Sequence, residues 1–161
     1  CPCGYLGDAD RPCLCTPPAV DRYRGRVSGP LLDRIDLHVE VARADAGAIV
    51  HDGPGEATAP VRERVARARQ VQADRFRGLP VRDNASLAGR LLRSHCAATP
   101  DATSLLEHAI RRLALSARAH DRILRVARTL ADLAGEGVID TERLAEAIGY
   151  RALDRPVGER G

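Results

Sequence analysis

Four of the five cysteines fall within the first fifteen residues, as Cys1-Pro-Cys3 and Cys13-Leu-Cys15. These two C-x-C pairs stand nine residues apart, and the Gly and Pro residues between them turn the chain back on itself. Four thiolates gathered this way close a tetrahedral site. Zn2+ is the expected occupant, because a loop this short builds no hydrophobic core and a structural metal replaces one. A disulfide pair, an iron–sulfur cluster or four unrelated thiols also fit these residues, and the spacing departs from the commoner C-x-x-C. Cys96 stands far from the rest and reads as a small buried apolar residue, not a ligand.

Arginine is the other chemical resource. All 25 basic residues are arginine, so the chain contains no lysine-dependent chemistry and no GK[ST] phosphate loop. Asp33 and Arg34 sit side by side after a Ser28-Gly29-Pro30 turn; on spacing alone they are a surface ion pair of small energetic weight. Arg22, Arg24 and Arg26 crowd one short segment, and arginines recur from Arg62 to Arg77. Such clusters suit phosphate groups, but no groove-reading motif accompanies them, and a solvated charged surface explains them equally. The net charge of +3 permits an anionic partner without requiring one.

The elements that must position these residues follow from punctuation and periodicity. Residues 1–18 are too rich in Gly and Pro for regular helix, and a short helix is expected over 19–27. Residues 35–41 alternate apolar and polar throughout, with Ile35, Leu37, Val39 and Val41 on one side, which predicts a strand. Residues 42–59 carry no sustained period and read as a linker. Helices are then expected over 60–76, over 86–93 behind Asn84, and over 102–114 behind Asp101. The longest helix starts at Ser116 and stops at Gly135, with Ile123, Ala127, Leu130, Ala131 and Ala134 on one side and Arg118, Arg122 and Arg125 opposite. A last helix capped by Asp140 buries Leu144 and Ile148. With aromatics at 2% and no methionine, the core is expected to be built from Leu, Ile, Val and Ala, and with no initiator methionine the chain is expected to be a piece of a longer one. No stretch reaches the roughly 18 apolar residues of a membrane span and none resembles a signal peptide, so a cytoplasmic protein is expected.

Three long words in the sequence carry a family resemblance. CPCGYLGD, RYRGRVSGPLLDRIDLHVEV and LSARAHDRILRVARTLADLAG resemble the magnesium-chelatase-like AAA+ ATPases of the competence-associated ComM/YifB type. The resemblance implies a mainly α chain: the end of an α/β P-loop NTPase core with its last strand, a cysteine-rich metal knuckle, and an all-helical lid. In residue terms this places a four-Cys zinc insertion at 1–18, the end of the core at 19–43, a linker at 44–59, the lid at 60–153 and a tail at 154–161. It also implies that Walker A, Walker B and a sensor asparagine precede Cys1, so that this piece alone does not hydrolyse ATP.

By the same resemblance Arg34 matches the arginine finger that reaches a neighbouring subunit's nucleotide, Asp33 orients it, and Arg118 matches the second sensor arginine on the lid. The implied cofactors are ATP with Mg2+ and a structural Zn2+. The implied partners are further copies of the chain, as a hexamer, and single-stranded or branched DNA, without a membrane. The implied task is branch migration or unwinding in natural transformation and recombination, and the knuckle favours this DNA-handling branch. Two alternatives stay open: a magnesium-chelatase-type ATPase that remodels a metal-inserting partner, and a zinc-dependent binding module that uses no nucleotide.

Overall fold

In the computed structural model the described residues are 1–8, 10–39, 41, 44, 46–51, 53 and 55–151. They are mainly helical, and the chain divides into one unit of Cys1–Ile35 with Val39–Gly53 and another of Asp36–His38 with Pro54–Gly161.

In the first unit, α1 spans Pro17–Arg24, α2 is a single turn over Gly29–Leu32, and α3 covers Ala46–His51 inside the expected linker. Helix α1 starts two residues earlier than the expected position past the prolines, with proline in its first turn. The physical reason is that first-turn amides have no intrahelical acceptor, so a proline there gives up nothing and supplies the right φ. The same reasoning makes a helical turn of the Gly29-Pro30 segment that was expected to be a simple turn.

The second unit holds α4 (Thr58–Arg75), a 3-10 turn (Asn84–Ser86), α5 (Gly89–His95), α6 (Pro100–Leu113), α7 (Ala117–Ala134) and α8 (Thr141–Gly149). Helix α7 keeps its expected bounds: Ser116 accepts a hydrogen bond from the Ala119 amide at 3.1 Å, and Gly135 ends it at φ 77°. Asp140 caps α8 by accepting from the Arg143 amide at 2.8 Å. Elsewhere the caps shift by a residue or two. Thr99 caps α6 instead of Asp101, and Asp83 caps the 3-10 turn while Asn84, the expected cap, is buried. A parallel bridge between Ala98 and Ile139 ties the approaches to α6 and α8, with Thr99 donating to the Ile139 carbonyl at 2.9 Å. Leu87, Leu92, Ile123, Ile139 and Leu144 are fully buried at the centre. Each such side chain contributes on the order of 1.5–3 kcal/mol when taken from water, and Phe76, the chain's one phenylalanine, is buried among them.

The expected strand is the main correction. Among the described residues none of 35–41 is in a strand, and Ile35, Leu37, Val39 and Val41 are all exposed. Strand geometry is stabilised by ladder hydrogen bonds to a neighbour, and alternation alone supplies none. Its attachments include one backbone and one side-chain contact: the His38 amide donates to the Tyr150 carbonyl at 2.8 Å, and Asp36 pairs with Arg122. Glu40 lies outside the described residues, as does the expected tail.

Candidate functional site

Gly4 and Gly7, both with φ near 85°, give the amino-terminal loop the left-handed turns that fold it back. The Asp8 carboxylate accepts from the amides of Asp10 and Arg11 at 2.9 Å each, and Arg11 donates to the Tyr5 hydroxyl at 2.9 Å while lying over its ring. These local ties bring Cys1, Cys3, Cys13 and Cys15 together, with all four Sγ atoms within 4.8 Å of one another. The Cys1–Cys3, Cys3–Cys13 and Cys1–Cys13 sulfur distances are 3.5, 3.6 and 3.7 Å. Tetrahedral Zn–S bonds of about 2.3 Å require sulfurs roughly 3.8 Å apart, a spacing that Cys1, Cys3 and Cys13 approach, with Cys15 within 4.8 Å of them. The Leu6 amide donates to the Cys1 Sγ at 3.2 Å. At Cys3 a hydrogen bond from the Tyr5 backbone, helped by Cys15, Cys13 and Leu14, brings the thiol down to about 7. Cys96 lies in the hydrophobic core, where burial pushes its thiol up to about 11.

The arginines divide by unit. In the first, Arg34 follows the end of α2, its amide donating to the Leu31 carbonyl at 2.9 Å, and its side chain is exposed; Asp33, the residue ending α2, is half-buried. Arg22 and Arg24 occupy the last turn of α1, where cations favour the helix dipole. Arg26 comes after α1 and lies over the Tyr23 ring at 5.4 Å. In the second unit, Arg118 is exposed in the first turn of α7. One turn further, Arg122 pairs with Asp36, and Arg125 donates to the Leu87 carbonyl at 2.8 Å.

A buried cluster escaped the sequence reading. Asp132 on α7 has a fully buried side chain that accepts from Arg75 on α4 through both oxygens and from Asn84 Nδ2 at 2.8 Å. Arg128, one turn earlier, donates to it at 3.1 Å and to the Gly137 carbonyl at 2.8 Å. Burial alone would raise the Asp132 carboxyl, but hydrogen bonds from Arg75 and Asn84 and the charge of Arg128 hold it below the ordinary carboxylate range. The i, i+4 spacing of Arg128 and Asp132 was visible, but it normally marks an exposed pair.

With this geometry in place, comparison with known proteins defines the class. Residues 55–151 match the family model described as magnesium chelatase, subunit ChlI C-terminal, and residues 1–49 match magnesium chelatase, subunit ChlI. The competence protein ComM of Haemophilus influenzae is 42% identical over 152 residues, covering 94% of this chain and 28% of that protein. YifB of Escherichia coli is 40% identical over 152 residues, covering 94% of this chain and 29% of its own length. A protein of Mycobacterium tuberculosis is 43% identical over 151 residues, again 94% of this chain and 29% of the relative. The chain belongs to the magnesium-chelatase-like AAA+ ATPase family of ComM and YifB. It spans about 29% of the length of these relatives, and among its described residues no helix is long and apolar enough to cross a membrane.

Proposed function

We propose that this chain forms the carboxy-terminal part of an ATP-driven, homo-hexameric motor that acts on DNA, with Arg34 as its arginine finger and Arg118 as its second sensor. The observation that carries this reading is the match to ComM, a competence protein, across 94% of the chain. Arg34 has the exposure such a role demands. A planar, permanently charged guanidinium can face phosphoryl oxygens of a neighbouring subunit's nucleotide as their charge builds, and Asp33 beside it restricts where that fork points. ATP with Mg2+ supplies the phosphoryl group and its counter-charge, held by residues outside this chain. Arg118 sits where a lid helix begins and can bind the nucleotide's anionic tail when the lid closes. Cys1, Cys3, Cys13 and Cys15 would hold a structural Zn2+ that fixes the knuckle.

ATP turnover by the full-length protein, measured with and without single-stranded and branched DNA, tests this reading. Stimulation by DNA supports it. A second reading has its own support in the chelatase descriptions of both matched family models, namely an ATPase that remodels a metal-inserting partner. Turnover indifferent to DNA, together with stable association with a larger chelatase subunit, would select that alternative.

A further inference from the structure

Arg34 and Arg118 each have a neighbour engaged in one and the same contact. Asp36 lies two residues after Arg34, and Arg122 lies one helical turn after Arg118 on α7. Asp36 and Arg122 form an ion pair through Asp36 Oδ1 and Arg122 Nη1. The Arg122 side chain is only 18% exposed in this pair, so its charge is screened less than that of a surface arginine. Two residues on, the His38 amide donates to the Tyr150 carbonyl just beyond α8, giving the short segment a second attachment within the same unit.

Between these attachments the packing is incomplete. Asp36 and Leu37 line a cavity of about 300 Å³ together with Arg125, Val126, Leu130 and Tyr150. Asp36 is itself 52% exposed beside this space while His38, two residues on, is buried, so the ion pair lies at the yielding edge of the segment, unlike the Arg75–Asp132–Arg128 cluster, whose Asp132 side chain is fully buried.

We infer that the Asp36–Arg122 pair is a coupling clamp: it fastens the segment that follows Arg34 to the helix that carries Arg118, so that displacement of α7 on nucleotide binding is passed to the arginine finger. Asp36 and Arg122 are therefore positioning residues. This rests on the finger and sensor roles proposed above.

The test uses the full-length protein and compares Arg34→Ala, Asp36→Ala, Arg122→Asp and the charge-swapped double variant Asp36→Arg/Arg122→Asp. The clamp predicts that each single clamp variant lowers kcat by about tenfold to about 100-fold with the KM for ATP and the melting temperature nearly unchanged, because a finger misplaced by about 1 Å loses that much. The charge swap should recover most of the loss, since it restores the attraction with the signs exchanged. Normal kcat in Asp36→Ala and Arg122→Asp, where Arg34→Ala abolishes turnover, overturns the clamp and leaves the finger assignment standing. Unchanged turnover in Arg34→Ala overturns both. A loss in the single variants that tracks a fall in melting temperature, with no recovery on charge exchange, shows a purely structural contact and also overturns the clamp.

Discussion

Asp132 is fully buried between two guanidiniums, and the consequences of that burial can be measured one residue at a time. Asp132→Asn keeps the shape and removes the charge, leaving Arg128, whose side chain is 1% exposed, without its counter-ion. Breaking a buried pair this way costs on the order of 3–5 kcal/mol, which thermal melting at neutral pH will detect. The pH dependence has a definite sign. A carboxyl held below its ordinary range in the folded state stabilises the fold above the unfolded value, and this contribution is lost as pH falls through the folded value. Melting temperature should therefore drop below about pH 5, and the drop should be shallower in Asp132→Asn. At the knuckle, inductively coupled plasma analysis should find one zinc per chain and none after Cys3→Ser with Cys13→Ser, while Cys96→Ser should keep its metal, since Cys96 lies in the core. The four-thiol set was legible because all its members lie within fifteen residues. The Asp132 cluster was not, because Arg75 and Asn84 reach it from 57 and 48 residues away.

Among the elements, legibility followed the same division between local and distant causes. Helix α7 has its cap, its stripe and its terminating glycine in its own sequence; the structure keeps the cap and the glycine and buries Ile123, Ala127 and Ala131 of the stripe, while Leu130 is half-buried and Ala134 exposed. The segment at 35–41 shows the opposite case: its alternation is real, but pairing depends on a neighbour that alternation cannot supply, and what holds it is the Asp36 side chain and the His38 backbone amide. Helix α6 carries a flaw that sequence pattern concealed. Ala114 closes it at φ 48°, a left-handed conformation that costs a residue with a Cβ about 1–2 kcal/mol and costs glycine little. Ala114→Gly should consequently stabilise the protein by up to about 1 kcal/mol, read as a higher urea midpoint at unchanged slope. A lower midpoint would mean that the loss of backbone freedom outweighs the relief.

At the scale of the whole molecule, both the charge distribution and the assignment of Arg34 bear on function. If Arg22, Arg24, Arg26 and the exposed arginines of α4 bind phosphates, affinity of the full-length protein for DNA should fall steeply with salt, and replacing Arg22 and Arg26 by Ala should flatten the slope by about 2. An unchanged slope would assign these side chains to solvent. The family account of the molecule turns on whether Arg34 acts across a subunit boundary, and mixed assemblies of the full-length protein measure this most directly. Arg34→Ala subunits should bind ATP and fail to turn it over, and a Walker-defective variant should also be inactive. Combined in one confirmed oligomer, they should regain turnover, since intact pockets then meet intact fingers. Mixed oligomers that form and stay silent would contradict the assignment.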